Sequence, residues 1–462
     1  MSFTDLRQFL VYLQERGELV TIDDEVDRRY EVAAYIRKSS DCNGPAFLFK
    51  NVRGFDMPIV GGIFCSSIKA LLALETTDYK QGLDRFIDAL QRPLEPRRVA
   101  TGPCKEVRLV GREVDLTRLP MPIYSEQDGG AYITMGVVIV KDRESGARNA
   151  GIYRMQLRGP SELAIEPCPF TDFHAMLTRA EAENRPLEVA IALGVDPVIQ
   201  LATQARVPFG TYELAIAGAL RGEPVEVVAC ETIELEVPAT AEIVIEGRVR
   251  PHERVHEGPF GEFTGYVGPA GQQPLFDCTA VTMREDAIFQ AGLTGIPITE
   301  NHVMKILPAA ANLYAALTQT YPGVTGVHFA PEGGADFLVV IGLRQQYENE
   351  AKNLILSALG SKAHPKIVVV TDDDVDIYDM AKVWWAISTR CQPSEDVIII
   401  PRAAGGQLDP SAPSPFASSL LGMDATRPYG KPFPEVVRIP GVERVPDWTR
   451  ELLPSQSKTG LG

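Results

Sequence analysis

The chain has 462 residues, 45% of them hydrophobic and 23% charged, which suits a globular protein of two or three domains with a large buried core. Its formal net charge of −16 excludes general nucleic-acid binding, which needs a basic surface, but leaves room for an anionic substrate in a local pocket of opposite field. No apolar run approaches the length of a membrane span, and the start Met1-Ser-Phe-Thr-Asp-Leu-Arg reads as a helical beginning rather than a signal peptide, so a cytoplasmic protein is expected.

The first hundred residues read as a small α/β unit, set here as residues 1–105. Leu6, Phe9, Leu10 and Leu13 fall on one helical face. Short apolar runs follow at 46–49 and 58–64, and Leu83, Phe86, Ile87 and Leu90 predict a second amphipathic helix. Arg92-Pro-Leu-Glu-Pro-Arg-Arg98 has linker composition.

Strand signal dominates residues 106–300, with candidates at 106–110, 133–140, 187–195, 225–237, 243–249 and 276–283, and with helices expected only at 173–183 and 212–220. The run 187–195 is almost continuously apolar, as for a strand buried on both faces. Many strands with few helices point to a barrel-like domain. Residues 301–462 return to α/β, with helices at 303–320 and 347–359 and strands at 337–341, 366–370 and 397–401. A loop over 403–415 and a frayed end at 455–462 complete the reading.

Chemistry concentrates in Glu257-Gly258-Pro259-Phe260-Gly261-Glu262, where two carboxylates flank a stiff Gly-Pro turn. Acids aimed at one point cannot both ionise easily, so one becomes a candidate general acid. A second segment, Asn149-Ala-Gly-Ile152-Tyr153-Arg154-Met-Gln156, follows an apolar run and a polar turn and reads as the second strand of a hairpin carrying Arg154. A guanidinium meeting such a pair would hold one acid ionised and offer a fork to a substrate carboxylate. Spacing alone does not bring Arg154 and Glu257 together. The seven Cys are scattered without Cys-x-x-Cys, which predicts reduced thiols rather than disulfides or a zinc site. Motifs for zinc proteases, phosphate loops, serine hydrolases and dinucleotide folds are missing.

These two segments together resemble the UbiD-type decarboxylases, a family that includes polyprenyl-hydroxybenzoate and ferulic acid decarboxylases. Supporting matches in family order are Pro208-Phe-Gly-Thr-Tyr-Glu213, Pro238-Ala-Thr-Ala-Glu-Ile-Val-Ile-Glu-Gly247, Asp373-Asp-Val-Asp-Ile-Tyr378 and Trp385-Ala-Ile-Ser-Thr-Arg-Cys391. The resemblance implies an N-terminal α/β domain, a central split β-barrel that binds flavin and a C-terminal α/β domain for oligomerisation, as a homodimer or homohexamer. It implies prenylated FMN, supplied by a flavin prenyltransferase, and an unsaturated carboxylic acid as substrate. Arg154, Glu257 and Glu262 would be catalytic, with Glu262 the proton donor.

In the family, positions matching Asn149 and Glu213 hold a manganese ion bridging to the flavin phosphate, and hard oxygen ligands suit manganese or magnesium. The family's third ligand, a His, is missing. Glu166-Pro-Cys168-Pro-Phe170 occupies that region, so either water completes the sphere or Cys168 faces the pocket without touching metal. Ile152, Tyr153, Arg154, Cys168, Lys362 and Arg390 join Asn149 and Glu213 as expected cofactor contacts, and Thr203 matches a position near a monovalent cation such as potassium. Outside the resemblance, Lys362 and Arg390 read as ordinary surface bases. His174 reads as a helix or core histidine, and His252 and His256 as structural or supporting residues. Lys305 either pairs with a second acidic group of the substrate or lies on a helix surface. Two alternatives stay open: a flavin protein of other chemistry on the same barrel, and a carboxylase or assembly subunit.

Overall fold

The computed structural model describes residues 3–169, 171–406, 408–414 and 417–445. Its centre is set by the apolar run read from the sequence. The strand Leu187–Leu193 pairs antiparallel with Ile243–Glu257 on one side and Val137–Lys141 on the other. Its side chains alternate between two hydrophobic clusters: Ala190 and Ala192 enter one, while Val189, Ile191 and Leu193 enter the other. Val137 and Ile139, against Val138 and Val140, divide the same way. Period-two alternation thus lets one strand seal two cores, at about 1.5–3 kcal/mol for each fully buried aliphatic side chain.

Around this strand runs the nine-stranded antiparallel sheet of the split barrel, in the order Tyr132–Ile133, Met155–Gly159, Glu162–Ile165, Gly271–Met283, Ile243–Glu257, Leu187–Leu193, Val137–Lys141 and Arg148–Ile152. The ninth strand, Val107–Val110, pairs with Gly271–Met283 off this path. Before it lies a four-stranded sheet of Leu19–Ile22, Ala46–Phe49, Ile59–Gly61 and Phe289–Gln290. The last of these comes from the end of the central segment. The C-terminal sheet has five strands ordered Val324–Phe329, Leu338–Leu343, Ile367–Asp372, Ala417–Ala425 and Val397–Ala404. Helices Glu300–Thr318, Glu350–Leu359 and Met380–Arg390 accompany it. The mixed α/β class is therefore as expected.

Several details differ from the sequence reading. The linker 92–98 ends in a short strand, Arg97–Arg98, that pairs with Glu226–Ala229. The strand before the Glu motif does not stop near 249 but runs to Glu257, because a register shift after Val249 lets pairing with Gly271–Met283 resume at Arg254. The strand at 397 continues to Ala404, into the segment read as loop. Residues Met1–Thr426 form one compact unit, and a second begins at Arg427. Within the second, a short 3₁₀ turn covers Val442–Arg444. The frayed end expected at 455–462 lies outside the described residues. Among the described residues no helix is long and apolar enough to cross a membrane. All seven cysteines are free.

Candidate active site

Arg154 owes its position to a break in the sheet. Arg148–Ile152 pairs with Val137–Lys141, whereas Met155–Gly159 pairs with Glu162–Ile165. Tyr153 and Arg154 are the two residues between, so Arg154 stands at the junction rather than inside the second hairpin strand as the sequence suggested. Gly151 permits the turn: a Cβ there would lie 2.7 Å from the Tyr153 ring. That ring packs edge-on against Phe173, 5.1 Å between centroids.

The Glu motif is held from the opposite side. Glu257 ends its long strand, Gly258 takes φ +85°, and Phe260–Gly261 forms a two-residue strand with Val267–Gly268. Four neighbours fix the turn: Gly258 N–H donates to Gln156 Oε1 (3.2 Å), Gly129 N–H to the Pro259 carbonyl (2.8 Å), Gly261 N–H to Asp128 Oδ1 (3.1 Å), and Tyr132 hydroxyl to the Pro259 carbonyl (3.3 Å). A Cβ on Gly129 would strike the Gly258 carbonyl at 2.1 Å, so the approach demands glycine.

These two frames bring Arg154, Glu257 and Glu262 together. Arg154 Nε and Nη2 donate to the two oxygens of Glu257, each at 3.0 Å. Arg154 Nη1 donates to Glu262 Oε1. Glu166, which the sequence reading passed over, stands 2.7 Å from the same Nη1. One guanidinium therefore meets three buried carboxylates, and its ring-facing plane lies over Phe260 at 5.3 Å. The cluster holds the guanidinium protonated above its ordinary range, although burial opposes this. Burial raises the Glu166 carboxyl, with Arg154 opposing and Glu257 reinforcing the shift.

The cluster faces a cavity of about 660 Å³ lined by Arg154, Glu166 and Glu262, but not by Glu257, which is 1% exposed and sits behind the arginine. Asn149, Ile152, Tyr153, Cys168, Thr203, Glu213, Lys305 and Lys362 also line it. Arg390 does not. Its guanidinium is held by Asp372 (2.6 Å) and by both oxygens of Asp374 (2.8 and 3.0 Å), below the Trp385 ring. The acidic end of strand Ile367–Asp372 takes it away from the cavity. His252 and His256 are exposed on the long strand, and His174 lies on helix Asp172–Ala182 beside a smaller outer pocket.

Asn149 and Glu213 are buried and adjacent. Glu213, first residue of helix Glu213–Arg221, accepts from Asn149 Nδ2 (2.8 Å) and from Ala150 N–H (2.7 Å). Asn149 Oδ1 is buried and accepts no hydrogen bond. Burial pushes the Glu213 carboxyl up to about 8. An orphaned hard oxygen beside a carboxylate starved of positive charge fits a small divalent cation. Among the described residues no three His, Cys, Asp or Glu side chains cluster as a metal cage. Burial also pushes the Cys168 thiol up to about 12, and its soft sulfur suits manganese or magnesium poorly.

Farther along the wall, Lys305 Nζ lies 4.5 Å from the Phe263 ring centroid and 4.0 Å from Asp336 Oδ2. Burial lowers its ammonium from the ordinary range, and Asp336 opposes this. Arg206, also unforeseen from sequence, donates to the Asp336 carboxylate and to the Ala363 carbonyl.

Family models cover most of the chain: the 3-octaprenyl-4-hydroxybenzoate carboxy-lyase N-terminal domain matches residues 10–90, its Rift-related domain 97–297, and its C-terminal domain 302–425. The chain belongs to the UbiD family. Among UbiD-class structures it is similar to HmfF from Pelotomaculum thermopropionicum in complex with FMN, at 37% identity and TM-score 0.88 over 96% of this chain and 99% of that one. An evolved dimeric form of HmfF in complex with prFMN aligns at 35% identity and the same TM-score, over 97% and 100% of the two chains. Vanillic acid decarboxylase from Sedimentibacter hydroxybenzoicus, in closed form, aligns at 31% identity and TM-score 0.88 over 98% of each chain. An uncharacterized protein of Archaeoglobus fulgidus is 34% identical over 95% of this chain and 96% of its own length. The chain is thus a UbiD-type carboxy-lyase in all three of its domains.

Proposed function

We propose that this chain catalyses the reversible, non-oxidative decarboxylation of an aromatic, heteroaromatic or α,β-unsaturated carboxylic acid, with prenylated FMN as cofactor. The observation that carries this reading is one cavity-facing arginine with Glu257 behind it and Glu262 beside it. Loss of carbon dioxide leaves an electron pair on carbon. No side chain on the wall absorbs it, and the flavin, when bound, supplies that sink. Arg154 orients the substrate carboxylate, Glu257 fixes Arg154 through its paired hydrogen bonds, and Glu262 returns a proton to the carbon. Asn149, Ile152, Tyr153, Cys168 and Lys362 would contact the flavin, with Thr203 near a potassium ion. A second acidic group on the substrate would sit at Lys305. The direction depends on carbon dioxide supply. A homodimer or homohexamer, a flavin prenyltransferase as cofactor supplier and a cytoplasmic location belong to the same reading.

Protein made without a flavin prenyltransferase is expected to release almost no carbon dioxide from a panel of aromatic and enoic acids. Co-expression with that enzyme should restore turnover and shift the visible spectrum. Equal rates from both preparations would point to flavin chemistry of another kind, and a colourless, inactive protein from both to an assembly subunit.

For the metal, Asn149 and Glu213 would hold manganese or magnesium, with water completing the sphere. Glu213→Gln should lower bound manganese at least tenfold by elemental analysis, and Cys168→Ser should leave it unchanged. Stoichiometric zinc lost in the serine variant would make Cys168 a ligand instead.

A further inference from the structure

Arg154 is crowded on its cavity side. Glu257 takes Nε and Nη2 from behind, and Nη1 is shared by Glu262 and Glu166. Nη1 has two N–H groups and both face these acids, so an incoming carboxylate can take Nη1 only by displacing one of the two. A fourth anion added to three carboxylates on one cation is also electrostatically costly in a buried site.

The two acids on Nη1 differ in where they can go. Glu262 lines the main cavity and not the outer pocket, and its backbone N–H donates to the Tyr266 carbonyl at 2.9 Å. Glu166 lies on the wall between two spaces. It lines the main cavity and also the outer pocket of about 190 Å³, whose far walls include His174, Thr178, Arg254 and Gln273. Those groups offer a carboxylate polar partners on the side away from Arg154. Glu181 already engages Arg254 at 2.7 Å, so the outer pocket is a polar resting place and not a second strong cation seat.

We infer that Glu166 is a resident carboxylate that occupies the substrate's place on Arg154 in the empty site and swings into the outer pocket when a substrate carboxylate arrives. This rests on the reading of Arg154 as the carboxylate seat. It makes Glu166 a positioning residue: it keeps Arg154 aimed when no substrate is bound, and it sets the threshold an acid must pass to bind. A neutral analogue cannot claim the place, because it gains nothing from Nη1 that offsets the loss of the Glu166 ion pair.

The test uses the full chain loaded with FMN and two probes, benzoate and its neutral counterpart benzamide, titrated by calorimetry. Glu166→Gln and Glu166→Ala are both expected to bind benzoate about tenfold more tightly than wild type, with benzamide affinity unchanged. Glu166→Asp, which keeps the charge, should stay near wild type. Unchanged or weaker benzoate binding in both neutral variants, with wild type binding benzoate normally, would overturn the exchange and leave the Arg154 seat standing. Benzoate binding to none of the four proteins would remove the seat itself, and the exchange with it.

Discussion

Glu262→Gln is expected to lower turnover by roughly two to four decades, the range for a lost general acid, with KM nearly unchanged. The glutamine keeps the shape of the acid and can still accept from Arg154 Nη1, so substrate orientation should survive. What it cannot do is hand a proton to carbon. The site gives Glu262 this role over its neighbours for a geometric reason. Glu257 lies behind the guanidinium and off the cavity wall, and Glu166 lines the outer pocket as well as the cavity, whereas Glu262 lines the main cavity and not the outer pocket. Folding should be unaffected, since Glu262 belongs to a polar turn and to none of the hydrophobic clusters. Steady-state rates of carbon dioxide release, with cofactor content matched by visible absorbance, measure the effect. Wild-type turnover in the glutamine variant would transfer the proton to another group, with Glu166, which shares Arg154 Nη1, the first candidate.

How much of this could be read from the chain follows from the range of each interaction. Leu187–Leu193 was legible because alternation and burial on both faces are local properties of the sequence. The helix Glu31–Cys42 was missed because its buried face includes Ser39 and Ser40, which break the apolar pattern. Strand Val324–Phe329 contains Gly326, and Ala417–Ala425 has Ser418 and Ser419 after its first residue and carries Gly422, so both lack the apolar continuity that marks a strand. In the site, Glu257 and Glu262 were visible as a motif, but their partner lies 103 and 108 residues away, beyond any spacing argument. Only the family resemblance joined them. Glu166 is not legible in the chain because a carboxylate two residues before Cys168 carries no motif of its own, and its partner Arg154 is reached only through the fold. Arg206 and Asp336 are 130 residues apart and meet only through tertiary folding. Arg390 shows the converse: its segment matches the family, yet in the fold its guanidinium is held by Asp372 and Asp374, which no spacing in the chain marks as its partners.

Arg154→Lys should have the broadest consequence of any single change in the site. The guanidinium presents its Nε–Nη2 edge to Glu257 as a matched two-point contact and keeps Nη1 for the cavity. An ammonium is a compact charge on a flexible stem with three donors and no fixed edge, so it cannot hold Glu257 at two points while presenting a donor to substrate. Charge is conserved, and the three carboxylates therefore still have a cation, but their geometry is lost. Orientation of the substrate carboxylate and poise of the Glu262 proton should fail together. The expected result is a rise in KM, a fall in turnover and a loss of at least about 100-fold in kcat/KM, equivalent to about 2.7 kcal/mol. Thermal stability should fall as well, because the fully buried Glu257 exchanges a two-point partner for a weaker one. FMN content should be retained, as the Lys362 side of the cavity is untouched. Kinetic parameters within about twofold of wild type, a difference of only about 0.4 kcal/mol, would mean that charge alone suffices. The paired hydrogen bonds to Glu257 would then serve the fold rather than the reaction.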